Sequence, residues 1–325
     1  MTDPVAGGAA SGRLATPVEH GSTAGPASAR TPLLGNRAAM VLLAPTWLLV
    51  LALLVLPACY VFWLSLNQSS FGQAPRFVGI DNYLAVLSDR YFWRALVNTL
   101  IIVAVVVHVE MLVGLGIALL FADGVPWKPV LMAAMLAPYA VSEVGAVVIW
   151  RYLVDPEIGS LSRLLEGFGL GPIEWGVNPW HGLAVVSLIS IWLHLPFTFV
   201  ILYAARLALP TEVYEAARVD GATRWQQLRR ITLPLLKPAI AVAMLFRYIF
   251  AFRLFSEVWL MTQGGPARST EVVALYLYVE AFRYNRFGVA TATGWIMVMV
   301  SALVALVYLR RVYREMFAAR AEGLA

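Results

Sequence analysis

The sequence predicts an all-α, polytopic membrane protein with six transmembrane helices. Of its 325 residues 60% are hydrophobic and only 13% are charged, and the mean hydropathy is +0.74. A helix needs about 20 apolar residues to cross a bilayer, and six apolar runs approach or exceed that length. They cover residues 38–66, 95–121, 128–154, 182–209, 239–262 and 287–309. A soluble protein could bury one such helix, but hardly six that make up nearly half the chain.

The ends of the chain differ from this apolar middle. Residues 1–37 are rich in Gly, Ala, Ser, Thr and Pro, and such a segment buries little apolar surface, so we expect a disordered tail. The first helix and an external loop then occupy 38–90, the other five helices 91–312, and a second tail 313–325. The single cysteine, Cys59, excludes an internal disulfide and a cysteine-based metal site.

The distribution of Lys and Arg predicts the orientation. Most of the 24 residues of these types lie at the two termini and in the loops on one side of the predicted helices. Because positively charged loops stay in the cytoplasm, both termini and residues 210–238 are expected there, and 67–94, 155–181 and 263–286 outside. The net charge of +5 therefore reflects membrane topology, and we expect no binding of nucleic acid.

The cytoplasmic segment 210–238 carries the signals of two short helices. Thr211 is placed to cap the first helix, and Asp220-Gly221 to end it, because helix ends commonly take a left-handed Gly. Thr223 and Gln226 have the spacing of a capping box for the second helix, which Pro234 is expected to end. Two helices joined at a fixed angle suit a rigid docking element. A loop that lies on anionic lipid headgroups is the alternative.

Two stretches resemble those of a known family. "YEAARVDGATRWQQLRRITLP" resembles the Glu-Ala-Ala signature of bacterial ATP-binding-cassette (ABC) importer permeases, and "LMTQGGPARSTEVVALYLYVEAFRYNRFGVATA" resembles a segment of the maltose-type carbohydrate permeases. The resemblance implies the type I ABC importer permease fold, with 91–312 as its transmembrane domain and 210–238 as a coupling helix seated in a separate ATPase subunit. The implied ATPase-coupling residues are Glu215, Ala216, Ala217, Asp220, Gly221, Ile231, Leu233 and Pro234.

The chain carries no phosphate-binding loop of its own. Such a loop needs Gly-Lys followed by Ser or Thr, but the only lysines, Lys128 and Lys237, are each followed by proline. We therefore expect no enzymatic activity, cofactor or metal in this chain. The resemblance assigns ATP and Mg²⁺ to two ABC ATPase subunits. It also implies a second, homologous permease subunit, an extracytoplasmic sugar-binding protein, and a multi-pass location in the bacterial cytoplasmic membrane.

Ionisable residues within the predicted helices indicate a substrate pathway, because they are costly in a bilayer. Glu143, His194 and Arg247 lie at similar depths on three helices. Glu143 is the expected partner of Arg247, as a structural ion pair or as part of a binding site. His108 and Glu110 are two positions apart, so we expect them to point to different faces, one of them toward a partner subunit.

Aromatic side chains beside hydrogen-bonding groups suit a sugar, because rings pack on its C–H faces. The resemblance implies that sugar contacts come from the middle of these same three helices. Arg253 and Glu257 are four positions apart and are expected to pair with each other. The predicted substrate pathway consists of Tyr139, Glu143, Ser190, Leu193, His194, Phe197, Arg247, Ala251 and Leu254.

The sequence thus predicts a permease subunit that moves a sugar inward, such as a disaccharide of the trehalose or maltose type. The first alternative is the same transporter class with another solute, glycerol 3-phosphate or an oligosaccharide, with Arg247 meeting an anion. A membrane-embedded glycosyltransferase would need paired carboxylates or a metal site, for which "DPE" at 155–157 is a lone candidate. A stand-alone secondary carrier would leave the coupling segment without a use, and inverted repeats are not evident.

Overall fold

The structure is a computed structural model that describes residues 36–322. The predicted N-terminal tail lies outside the described residues except for its last two positions, and the last three residues of 313–325 lie outside them as well.

The described chain is helical, apart from one two-stranded antiparallel sheet that pairs Asn67 with Phe77 and Gln68 with Arg76. The first elements are α1 (Asn36–Val50), a π-helical turn (Leu51–Val55), α2 (Leu56–Ser65), β1 (Asn67–Gln68), β2 (Arg76–Phe77), α3 (Asp81–Ser88), α4 (Arg90–Asp123), α5 (Lys128–Leu136), a 3₁₀ turn (Ala137–Ala140), α6 (Glu143–Leu153) and α7 (Ser160–Gly167). The remaining elements are α8 (Pro179–Leu207), α9 (Thr211–Val219), α10 (Arg224–Gln227), a π turn (Leu228–Thr232), α11 (Leu233–Ala251), α12 (Ser256–Met261), α13 (Val273–Tyr278), a π turn (Val279–Arg283) and α14 (Phe287–Glu322).

The chain divides into two compact units between Leu56 and Pro57. The described part of the first unit is α1, the π turn that follows it and Leu56, and its large apolar side chains from Met40 onward are exposed. The second unit contains everything from Pro57 onward, including both sites discussed below.

Five helices of the described chain are long and apolar enough to cross a membrane. They are Met40–Ser65, Arg90–Asp123, Pro179–Leu207, Arg224–Ala251 and Phe287–Val312. These correspond to the first, second, fourth, fifth and sixth predicted helices. A sixth crossing requires α5 and α6 together, which meet at an angle of 105°.

The third predicted helix, 128–154, is therefore present as the bent pair α5 and α6 and not as one straight helix. A 3₁₀ turn replaces the α-helix at Ala137–Ala140, and Ser142 is extended, with ψ at 146°. The Ser142 hydroxyl accepts a hydrogen bond of 3.1 Å from the N–H of Gly145 and so caps a new helix. Serine competes with helical hydrogen bonding in this way, which makes it a helix start rather than a helix interior residue.

The fifth predicted helix, 239–262, is wrong in its bounds. It begins earlier, because α10, the π turn and α11 run on into one another, and α11 ends at Ala251. Residues 252–255 form no helix, and Phe255, with φ at −136° and ψ at −54°, precedes the separate helix α12.

Pro234 does not end a helix, contrary to the sequence prediction; it lies in the first turn of α11. A proline inside an α-helix removes one N–H and clashes with the carbonyl four residues earlier. Here the preceding turn is π-helical, and the N–H of Leu233 donates to the carbonyl of Leu228 five residues back. We infer that this wider turn accommodates the ring, so the helix continues.

The core of the second unit lies where α4 and α8 pack along each other, with α11 packed against both. Its largest apolar cluster joins α4, α6, α8, α12 and α13 through buried residues such as Val106, Val186 and Val258. Close approach of α4 and α8 depends on Gly114, where a Cβ would lie 3.0 Å from Cγ2 of Thr198. Small residues permit such close packing of membrane helices.

Gly288→Ala is expected to destabilise the protein by about 1–3 kcal/mol, the usual cost of overpacking. A Cβ at this position would overlap the backbone oxygen of Asn67 and lie 2.7 Å from Nδ2 of Asn82. That amide nitrogen already donates hydrogen bonds of 2.9 Å to the carbonyls of Ser65 and Asn67, so it has little freedom to move. Thermal unfolding in detergent measures the effect. Gly116→Ala is the control, because a Cβ there meets nothing within 4 Å; equal stability of the two variants would contradict the prediction.

Candidate functional site

Eight of the nine residues of the predicted substrate pathway line one cavity of about 480 Å³; the exception is Phe197. The other residues of its wall are Val141, Phe250, Arg253, Phe255 and Glu257. This volume lies within the usual range for small-molecule sites. The structure brings the predicted residues together, and their contact with a substrate stays a prediction.

Three chain segments build the wall of the cavity. Ser190, Leu193 and His194 share one face of α8, because positions three and four apart lie one above the other on a helix. Tyr139 and Glu143 flank the break before α6, and both are exposed. Arg247 and Ala251 come from the last turns of α11.

The end of α11 at Ala251 supplies three wall residues that the sequence did not predict. Arg253, Phe255 and Glu257 face the cavity because the chain leaves the helix before them. The same break separates Arg253 from Glu257, since the spacing of four residues brings side chains together only on a continuous helix. The expected pair between them is therefore wrong, as no ion pair joins them within the described chain.

The partner of Arg247 is Glu110 on α4, and not Glu143 as the sequence suggested. Nε of Arg247 and its Nη2, the latter at 2.8 Å, donate to the two carboxylate oxygens of Glu110. Both side chains are buried, with 1% and 0% of their surface exposed. Glu143 is instead the first residue of α6, beyond the 105° bend, and is exposed at the cavity. The sequence does not reveal the bend, so the similar depth of Glu143 and Arg247 in the predicted helices led to the wrong partner.

His108 and Glu110 do point to different faces, as predicted: His108 is exposed and Glu110 is buried. Nδ1 of His108 lies 2.8 Å from the carbonyl of Ala104, and its Nε2 is 3.5 Å from the hydroxyl of Tyr248. The periodicity of α4 could have placed Glu110, since Val106, Val107 and Met111 on the same side are also buried. No sequence signal identified its partner 137 positions away.

His194 presents an acceptor to the cavity. Its Nδ1 lies 2.9 Å from the carbonyl of Ser190. A carbonyl oxygen only accepts hydrogen bonds, so Nδ1 carries a proton, and Nε2 is an acceptor whenever the ring is neutral. Phe197 lies behind the wall, with its ring centroid 6.1 Å from that of Phe250 and 6.4 Å from that of Phe246.

Segment 210–238 has the two predicted helices, α9 and α10. Gly221 joins them in the left-handed region, with φ at +76°. The predicted capping box is confirmed: the N–H of Thr223 donates to Oε1 of Gln226 at 2.7 Å, and the N–H of Gln226 donates to Oγ1 of Thr223 at 3.3 Å. The prediction for Thr211 is wrong, because the residue before α9 is Pro210 and no side chain caps that helix.

A second cavity, of about 780 Å³, lies between this segment and the ends of α4 and α8. Tyr214 on α9 lines this cavity: its hydroxyl lies 3.0 Å from Oγ1 of Thr232 in the same segment, and the guanidinium of Arg206 on α8 is 4.4 Å from its ring centroid. Among the implied coupling residues Ala217, Ile231 and Leu233 are half-buried; Glu215, Ala216, Asp220, Gly221 and Pro234 are exposed. The segment thus contacts α8 through Tyr214, while most of its implied coupling residues are exposed.

Neither cavity offers a metal centre. The described residues contain no group of three or more His, Cys, Asp and Glu side chains that could hold an ion.

Comparisons with known proteins agree with this architecture. The family model described as "binding-protein-dependent transport system inner membrane component" matches residues 90–318. The trehalose transport system permease protein SugA of Mycobacterium tuberculosis is 33% identical over 290 residues, which cover 89% of this chain and 91% of that protein. The trehalose/maltose transport system permease protein MalF of Thermococcus litoralis is 31% identical over 83% of this chain and 92% of its own.

A solved structure is similar as well. It is a chain of a bacterial ABC transporter involved in the import of the acidic polysaccharide alginate, with a TM-score of 0.73 and 25% identity. The match covers 85% of this chain and 95% of that chain.

Proposed function

Since this chain belongs to the family of binding-protein-dependent transport system inner membrane components, we propose that it is the ABC importer subunit through which a sugar, such as a disaccharide of the trehalose or maltose type, crosses the membrane. The all-α fold of a type I importer permease that the sequence predicted is confirmed. The observation that carries the proposal is the 480 Å³ cavity, which combines aromatic rings with hydrogen-bonding groups. Two similar proteins named for trehalose transport support it.

The wall of the cavity offers what a sugar needs. Nε2 of His194 and the carboxylates of Glu143 and Glu257 accept hydrogen bonds from hydroxyls, and Arg247 donates to ring or hydroxyl oxygens. The rings of Tyr139 and the two phenylalanines of the wall can pack on C–H faces. Transport needs binding of moderate strength, which a site of mixed polar and apolar groups provides. Because the wall comes from three separate chain segments, a small movement of these segments relative to one another can open it.

The partners follow from the same proposal. ATP and Mg²⁺ bind to two separate ATPase subunits, a second permease subunit completes the pathway, and an external binding protein delivers the sugar. The ATPase docks on the exposed side of α9 and α10, and Tyr214 joins α9 to α8 and to the turn before α11. A rigid element of this kind suits the transmission of movement better than a loop that lies on lipid headgroups.

We expect the coupling segment and both termini to face the cytoplasm, as the Lys and Arg distribution indicates. In a Cys59→Ser background, Gln226→Cys is expected to react with a membrane-impermeant maleimide only after the cells are permeabilised. Glu157→Cys, in the predicted external segment and exposed, is the control and should react in intact cells. Labelling of position 226 from outside would reverse the proposed orientation.

The alternatives lose support in the structure. Arg247, which an anionic solute such as glycerol 3-phosphate would need, is already held by a carboxylate. Asp155 of the "DPE" stretch is a turn residue: its carboxylate accepts N–H groups of Glu157 and Ile158 at 2.9 and 3.0 Å, and these bonds hold its pKa below the ordinary value. A depressed pKa and a structural role do not suit a general acid of glycosyl transfer.

Uptake by the reconstituted transporter tests the proposal. The chain, its second permease and the ATPase subunits are placed in proteoliposomes with the binding protein, and radiolabelled trehalose, maltose and glycerol 3-phosphate are offered. We expect ATP-dependent uptake of a disaccharide, and none when ATP is replaced by a non-hydrolysable analogue. Uptake of glycerol 3-phosphate alone would contradict the proposal.

A further inference from the structure

We propose that Glu110, which lies behind the cavity wall and not in it, makes the cavity selective for uncharged sugars over acidic ones by neutralising Arg247. This inference rests on the proposed function and specifies its substrate class. It assigns Glu110 as a positioning and specificity-determining residue that need not touch the substrate.

Only the arginine of the pair reaches the cavity. Arg247 lines the cavity, and Glu110 is not among the lining residues. The carboxylate engages Nε and Nη2 of the guanidinium side-on, the fixed bidentate arrangement that orients an arginine. Among the hydrogen bonds of the described residues none uses Nη1, so that group remains as a donor. Arg247 can therefore donate to a sugar oxygen while its charge is balanced by a carboxylate in contact.

The rest of the wall carries groups of both signs. Its other ionisable residues are Glu143, Glu257, Arg253 and His194, and no ion pair joins either of these two carboxylates to Arg253 in the described chain. Glu257 is 3% exposed and has no partner among the described ion pairs, so it cannot be counted as a full negative charge. Once Arg247 is balanced, the guanidinium of Arg253 is therefore offset by the exposed carboxylate of Glu143. A carboxylated or sulfonated sugar would find no net positive charge there to compensate for its lost hydration. Hydroxyl groups would instead find acceptors.

A structure of the same fold at 25% identity belongs to a transporter involved in the import of the acidic polysaccharide alginate. The architecture is thus compatible with acidic cargo, and discrimination must come from side chains. In this chain the buried pair is the feature that removes a positive charge from the wall.

Direct binding to the complete transporter in lipid nanodiscs, without the binding protein, tests the inference. The probes are trehalose and trehalose with one primary hydroxyl oxidised to a carboxylate, titrated by calorimetry. Wild type should prefer trehalose. Glu110→Gln leaves the charge of Arg247 uncompensated, and the preference should shift by about tenfold or more toward the acidic sugar. Glu271→Gln is the matched control, because Glu271 is also a buried partner of an arginine, Arg268, but lies outside the cavity wall; it should leave the preference unchanged.

The exchanged pair, Glu110→Arg with Arg247→Glu, guards against failure of the single variant to assemble. It keeps two opposite charges in contact but turns the carboxylate to the cavity, so the preference should move about tenfold further against the acidic sugar. An unchanged preference in an assembled Glu110→Gln or exchanged variant would overturn the inference. If wild type binds neither probe nor any other sugar, the proposed function itself fails, which is a distinct outcome.

Discussion

Arg247→Ala is expected to lower the free energy of unfolding by about 3–5 kcal/mol, the cost of leaving one member of a buried ion pair without its partner. Glu110 would then be a carboxylate with 0% of its surface exposed and no guanidinium to accept from. Thermal unfolding of the purified chain in detergent, and its yield in the assembled complex, measure the loss. Arg253→Ala is the control, because Arg253 lines the same cavity but is exposed and lies outside the described ion pairs.

The double variant Glu110→Gln, Arg247→Met separates stability from binding. Removal of both charges is expected to restore most of the stability, since a buried pair can often be replaced by uncharged residues of similar volume. Sugar binding should stay weaker than in wild type, because the donor at the cavity is gone. If the Arg247→Ala variant is as stable as the Arg253→Ala variant, the ion-pair account is wrong. If the double variant binds sugar as well as wild type does, Arg247 is not part of the site.

Gly221→Val is expected to reduce ATP-dependent uptake strongly while the chain still inserts and binds sugar. Gly221 is left-handed, with φ at +76°, and a Cβ there would meet nothing within 4 Å. The cost is therefore conformational and not a clash. It exceeds the ~1–2 kcal/mol that most side chains incur in this region, because valine is β-branched. A changed angle between α9 and α10 would uncouple the membrane helices from the ATPase, so sugar-stimulated ATP hydrolysis is measured beside uptake.

The control is Gly221→Asn at the same position. Asparagine enters the left-handed region more readily than other residues, so the angle and the transport rate should be largely kept. If the valine variant assembles and transports at the wild-type rate, the joint at Gly221 has no coupling role.

Local signals predicted much of this fold, and long-range contacts account for most of what they missed. The apolar runs located five of the six helices, although the fifth begins earlier and ends sooner than its run. Thr223, Gln226 and Gly221 were predictable because caps and left-handed turns depend on neighbours within a few residues. Pro234 misled because the π turn that accommodates it leaves no clear mark in the sequence.

For the cavity, too, local signals were predictive and long-range contacts were not. The depth of residues along the predicted helices, together with the family resemblance, predicted most of the residues that line it. The partner of Arg247 depended on the bend before α6 and on the packing of α4 against α11, neither of which periodicity can supply. For the same reason Glu257 and Phe255 were not predicted in the wall. They follow the end of α11, where four residues without helical structure separate it from α12.

Protection of a single cysteine in the cavity tests most directly whether the sugar passes through it. Tyr139→Cys is introduced into a Cys59→Ser background, and its alkylation rate in the complete transporter is measured with and without trehalose. Tyr139 lines the cavity and is 58% exposed; Phe282→Cys, at a residue that is 69% exposed and outside the wall, is the control. The account predicts that trehalose slows alkylation at position 139 and leaves position 282 unchanged. Equal rates at position 139 with and without sugar, in a variant that still imports trehalose, would contradict it.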